Sequence, residues 1–263
     1  MRKVIAFSVL WLSLLATSAR AEVKTREIEY KQGDTPLKGF LAYDDAAKGK
    51  RPGVLVVHEW WGMNEHARNQ AIRLAKAGYV GFAVDMYGKD KIATHPKDAM
   101  AFMQEATKDP KQLGERFQIA LDLLKQQPQV DTGKIAAIGY CFGGGVVLGM
   151  ARSGVDLAAV ATFHGHLSPD AGPVAQKGKV KSKILVQTGS ADTMVPKAQV
   201  DAFKKEMADA SVDAKVIVYP NVKHSFTNPD AAKAGMKELG YDAEIDKKSW
   251  AELLKFFKQT LGS

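Results

Sequence analysis

The chain has 263 residues, 46% of them hydrophobic and 25% charged, with a formal net charge of +8 and a single cysteine. Those fractions exclude a disordered or collagen-like chain. One cysteine excludes an intramolecular disulfide framework and any multi-cysteine zinc or iron–sulfur site.

Residues 1–21 read MRKVIAFSVLWLSLLATSARA, with basic Arg2 and Lys3, an apolar stretch over 4–16, and a small-x-small pattern at Ala19-Arg20-Ala21. That is the layout of a secretory signal peptide, and the apolar stretch is short of the roughly 20 residues that span a bilayer. The expectation is export to the periplasm or the medium, followed by a mature domain over 22–263 with no membrane segment. Losing Arg2, Lys3 and Arg20 takes the net charge from +8 to +5. The remaining lysines are scattered, densest at Lys177, Lys179, Lys181 and Lys183. They lack the organised patch of a nucleic-acid surface and read as a solvated face.

Strands are expected at 23–30 and 37–43, joined at Gly33-Asp34 as an antiparallel hairpin. The run at 53–57 is apolar on both faces, as in a parallel strand covered by helices. A helical period over 64–77 stops at Gly78, and a strand at 79–84 follows. Helices at 97–107 and 112–126 are parted by Asp109-Pro110. Further strands fall at 134–138, 157–163, 184–187 and 215–219, with helices at 143–152, 197–208 and 244–260. The stretch 163–183, with Pro169, Gly172, Pro173 and Gly178, reads as a long loop. Such alternation predicts an α/β fold, a mostly parallel central sheet with helices on both faces.

Ligands of such sheets sit at the carboxyl ends of the strands. There, after the 134–138 strand, stands Gly139-Tyr140-Cys141-Phe142-Gly143-Gly144-Gly145, the glycine-x-nucleophile-x-glycine elbow with cysteine as nucleophile. The glycines suit a strained strand-to-helix turn, and a helix N-terminus favours thiolate. A dinucleotide fingerprint would need glycine at 141, and a lone cysteine is otherwise often an inert small hydrophobe. An elbow nucleophile is followed in the chain by an acid and then a histidine. Asp192 follows the 184–187 strand, and His224 follows the 215–219 strand. Ser153, Ser168 and Ser190 have no elbow. His58-Glu59-Trp60-Trp61-Gly62 lacks the second histidine of a zinc-protease motif, His164 and His166 read as pocket or loop contacts, and His66 and His95 as surface or capping residues. No metal and no cofactor is expected.

With these motifs, and with Val84-Asp85-Met86-Tyr87-Gly88, Gly189-Ser190-Ala191-Asp192 and His224-Ser225-Phe226, the sequence resembles the dienelactone hydrolase family, a branch of the α/β-hydrolase fold. The resemblance implies Cys141 as nucleophile, His224 as base and Asp192 as its orienting acid. It further implies Glu59 contacting the resting thiol, and backbone N–H groups of Trp60 and Phe142 as the oxyanion hole. Trp61, Tyr87, Lys89 and Ser225 are the candidate substrate contacts. Where the best-known members hold the substrate carboxylate with two arginines, this chain has Lys89 and Asn228, and lysine attracts a carboxylate only as a point charge. The expected function is hydrolysis of a small lactone or carboxylic ester through a cysteinyl thioester. The alternative is a non-catalytic carrier of the same fold that binds a small acyl ligand.

Overall fold

A computed structural model describes residues 22–169 and 173–262, so the expected signal peptide lies outside the described residues. The expected hairpin forms from β1 (Val23–Gln32) and β2 (Thr35–Asp44), turning at Gly33 and Asp34. β2 then pairs antiparallel with β4 (Val80–Val84), which lies beside β3 (Arg51–Val57). From there every pairing is parallel, through β5 (Val130–Tyr140), β6 (Ala159–Phe163), β7 (Lys183–Gly189) and β8 (Ala214–Tyr219). The sheet order is β1-β2-β4-β3-β5-β6-β7-β8. The free edge at β1 carries Lys24, Arg26, Glu27, Glu29 and Lys31, charges that discourage edge-to-edge pairing.

Alternate side chains of the central strands feed two apolar cores. Leu55, Val57, Phe82 and Val84 pack on one face with Phe117 and Leu121 of α3 (Pro110–Lys125) and Phe203 of α5 (Lys197–Asp209). Val54, Val56, Ala83 and Ile138 pack on the other with Ala71 and Leu74 of α1 (Glu65–Lys76) and Leu253 and Phe257 of α6 (Ala243–Leu261). This double covering explains why β4 and β6 are buried along their whole length and β3 from Pro52 onward.

Strand β5 begins earlier than its composition suggests. Val130 and Asp131 pair with Arg51 and Pro52, and the register then shifts so that Ile135 meets Gly53. Such a bulge leaves polar Thr132-Gly133 inside a strand while reading as a turn.

One buried ion pair ties the site's supports together. Arg152, at the end of α4 (Phe142–Arg152), grips Glu206 of α5 with Nε–Oε1 and Nη2–Oε2 distances of 2.8 and 2.7 Å, and donates to the Leu167 carbonyl at 2.7 Å. Truncating Arg152 to alanine leaves a nearly buried carboxylate without a counter-charge, held by the Ala175 N–H at 2.8 Å. The expected loss is about 3–5 kcal/mol, read from the urea midpoint, whereas R152K retains part of it.

Candidate active site

The segments leaving the carboxyl ends of β3, β5, β6, β7 and β8 converge on one cavity. Cys141 sits between β5 and α4 with φ 52° and ψ −116°, outside the regions a side-chain-bearing residue favours. The turn is held by main chain. Cys141 N donates to the Phe163 carbonyl at 3.1 Å, Gly144 N donates to the Cys141 carbonyl at 3.0 Å, and Gly143 N donates to the His58 carbonyl at 3.1 Å. Glycine is required by proximity: a Cβ on Gly143 would lie 2.3 Å from the Val57 carbonyl oxygen.

Asp192 lies on the loop after β7. Its Oδ1 accepts from Met194 N at 2.9 Å and Val195 N at 3.1 Å, leaving Oδ2 for His224 Nδ1 at 2.8 Å. Ser190 Oγ accepts from Asn221 N at 2.8 Å and Ala191 N donates to the Val222 carbonyl at 3.0 Å, so further bonds join the acid's loop to the histidine's loop. Burial works against the His224 imidazolium, but the charge of the Cys141 sulfur and the Asp192 hydrogen bond outweigh it, and the pKa is pushed up to about 10. Nε2 is buried without a well-formed hydrogen bond, its electrostatic partner on that side being the cysteine. Cys141, expected from the glycine-flanked turn, and Asp192 and His224, expected from chain order and strand ends, are thus brought together.

Glu59 is buried and doubly held, its Oε1 accepting from Ser225 Oγ at 2.7 Å and its Oε2 from Asn228 Nδ2 at 2.5 Å. His66 Nδ1 is 3.8 Å from Oε2. The hydrogen bonds of Glu59 among the described residues therefore fasten the end of β3 to the His224 loop, and none goes to Cys141. Ser225 and Asn228 are spent on this carboxylate. His66, expected as a surface or capping residue, lies in the first turn of α1 and is buried there, with Nε2 3.2 Å from the Thr227 carbonyl. Lys89 Nζ is 2.7 Å from Glu29 Oε1 on the edge strand, away from the cavity. Trp61 is buried edge-on against Trp60, with ring centroids 5.0 Å apart, and stands behind the cavity wall. Tyr87 is likewise buried behind the wall, its ring on His58 and Phe142 and its hydroxyl raised in pKa first by burial and then by the Cys141 charge.

Trp60 and Phe142 themselves line the cavity, and their backbone N–H groups bond to no described residue. His58 fixes this corner. Its Nδ1 lies 2.5 Å from the Glu59 carbonyl and its Nε2 accepts from Met86 N at 3.2 Å, an arrangement that needs neutral imidazole. Burial lowers its pKa accordingly.

The cavity, about 320 Å³, is walled by residues that periodicity alone marks only as helix or loop. Met100, Met103 and Thr107 come from α2 (Pro96–Thr107) and Leu113 from α3, while Met194, Val195 and Leu239 close the far side. His166 joins them, with Nδ1 3.3 Å from Gln199 Nε2. Among the described residues no group of three ligating side chains could hold a metal, and no helix is long and apolar enough to cross a membrane.

Behind His224 stands His164, ring centroids 4.9 Å apart, with Nε2 2.9 Å from Thr227 Oγ1. Burial, reinforced by the His224 and His66 charges, holds its pKa well below 6.5. An unfolded chain takes up that proton near 6.5 while the fold refuses it, so stability falls as pH drops below that value. The melting temperature is expected to decline from pH 7 to 5, and H164Q is expected to flatten that decline in a thermal scan.

A strained strand-to-helix turn at Cys141, an acid–histidine pair beside it and a mostly parallel sheet of this order together define the α/β-hydrolase fold. The chain belongs to the dienelactone hydrolase family, whose model matches residues 37–261. A crystal structure described as a dienelactone hydrolase-like promiscuous phosphotriesterase, P91, from metagenomic libraries is 36% identical, with a TM-score of 0.86 over 92% of this chain and 99% of that one. A Yersinia pestis protein named "Putative carboxymethylenebutenolidase" is 29% identical over 239 residues, covering 87% of this chain and 85% of its own. A dienelactone hydrolase from Anabaena variabilis, 19% identical over 91% of this chain and 99% of that one, shares the fold with a TM-score of 0.64. The protein is a hydrolase of this family acting on a small molecule.

Proposed function

We propose that the protein hydrolyses carboxylic esters or lactones by covalent catalysis at Cys141. The observation that carries this reading is a cysteine on a strained elbow, opening into a cavity beside a histidine whose other nitrogen is 2.8 Å from a buried aspartate. His224 holds the proton given up by Sγ, and the sulfur attacks the carbonyl carbon. The resulting oxyanion meets the N–H groups of Trp60 and Phe142, aimed donors of the kind worth about 3–4 kcal/mol each in acyl transfer. The C–O bond then breaks, His224 returns its proton to the departing alkoxide, and an acyl–sulfur thioester remains. Water, deprotonated by His224, adds to the thioester, the C–S bond breaks as His224 hands that proton to the departing sulfur, and the carboxylic acid leaves with the thiol restored.

Asp192 holds the imidazole in the tautomer this requires and stabilises its cation. Glu59 serves by anchoring the His224 loop through Ser225 and Asn228. The experiment is a rapid quench with p-nitrophenyl hexanoate. An acyl adduct on the Cys141 peptide in the mass spectrum, formed with a nitrophenol burst, is expected. Steady turnover with no adduct and no dependence on Cys141 sinks the proposal.

The composition of residues 1–21 supports export of the mature chain. Removal of that segment is checked by the intact mass of the secreted protein, expected to begin at Glu22.

A further inference from the structure

We infer that the cavity selects neutral, apolar acyl groups and rejects substrates carrying a carboxylate, with α2 and α3 supplying the selectivity; the inference rests on the ester-hydrolase reading. Three observations carry it.

The first is charge. Among the described residues no lysine, arginine, aspartate or glutamate lines the cavity, whose polar side chains are those of Cys141, His224, His166, Thr107 and Trp60. The second is the fate of the two positions that could answer a substrate anion. Lys89 is committed to Glu29 at 2.7 Å, and Asn228 is buried against Glu59 at 2.5 Å. Asn228 gives its amide to a carboxylate of the protein itself, so that corner presents a buried anion's partner and no free donor for a second one. An acyl chain ending in a carboxylate would then lose its hydration with no lysine or arginine to meet it, the His224 imidazole being already paired with Asp192 at 2.8 Å, a costly transfer. The third is texture. Met100, Met103 and Met194 form much of the wall, and unbranched thioether side chains adapt to differently shaped apolar guests. Selection by charge with tolerance of shape follows.

The test separates occupancy from turnover. Hexanamide and adipic acid monoamide, equal in chain length and different in one terminal carboxylate, compete with iodoacetamide for Cys141, and alkylation is followed by mass. Hexanamide is expected to protect and the acidic monoamide to require at least about 100-fold more for equal protection. In parallel, kcat/KM for p-nitrophenyl hexanoate should exceed that for the p-nitrophenyl monoester of adipic acid by a similar factor. Butyrate, hexanoate and cyclohexanecarboxylate esters should lie within about tenfold of each other.

A lysine placed in the wall, M103K, or T107K if the first does not fold, should raise the relative rate on the acidic ester at least about tenfold. Equal protection by the two amides, or an acidic ester turned over as well as its neutral twin, overturns the inference. Selective protection by hexanamide without Cys141-dependent turnover would leave the inference standing and remove the hydrolase mechanism instead.

Discussion

Cys141→Ala is expected to lower kcat for p-nitrophenyl hexanoate by about 10⁴-fold or more, because a triad acts as a unit and little beyond binding and the oxyanion donors remains without its nucleophile. Asp192→Asn should come close behind, at about 10³–10⁴-fold, since an amide facing His224 Nδ1 favours the wrong tautomer. Both variants should retain the wild-type circular dichroism spectrum, which separates lost chemistry from lost fold.

The electrostatics add a second readout. In the intact site burial disfavours the His224 cation, and the Cys141 sulfur followed by Asp192 raises its pKa to about 10. Removing the sulfur leaves burial opposed by Asp192 alone, so the imidazole in Cys141→Ala should release its proton at lower pH, visible in nitrogen-15 imidazole spectra. The sign for stability follows from the same raised value. Protonation of His224 contributes fully below the ordinary histidine value of about 6.5 and is lost as pH climbs through about 10. Wild-type turnover with the alanine variant would show that another group attacks the ester.

Gly139→Ala is expected to have the largest effect on folding. A Cβ there would lie 2.1 Å from the Gly143 carbonyl oxygen, 2.3 Å from its carbon and 2.6 Å from Gly144 N, all main-chain atoms of the elbow. No rotamer change relieves such a clash, so either β5 or α4 must move and the turn opens. A loss above about 4 kcal/mol is expected, against a total stability of about 5–15 kcal/mol for a typical domain. Urea titration should show a collapsed midpoint or insoluble protein. Gly133→Ala, in the same strand, is the matched control. Its added Cβ approaches no atom closer than Asp131 Oδ1 at 3.5 Å, so its midpoint should barely move. Equal midpoints for the two variants would mean that the elbow is not held by this close approach.

These features differ in how far they could be read from the chain. The strand–helix alternation, the elbow and the order Cys141, Asp192, His224 were legible because local period and turn chemistry specify them. The early start of β5 was not, since Thr132-Gly133 imitates a turn and only pairing with Arg51 and Pro52 makes it strand. The ion pair of Lys89 with Glu29 joins residues 60 apart in sequence and depends on where the hairpin lies against the β4 loop. The burial of His66 depends on which face α1 turns toward Thr227. The cavity wall from α2 and α3 is likewise a product of packing. Residue types named the candidate reacting groups, and tertiary placement decided what surrounds them.

The bend at residue 141 is secured by hydrogen bonds from one backbone to another and by the absence of side chains at 139 and 143. The sulfur takes no part in holding it. Scaffold and reactive atom are therefore separable: an alcohol or a selenol could occupy the same perch without redrawing the main chain. Laboratory exchange at this single position would compare leaving-group preferences of different nucleophiles inside one unchanged pocket.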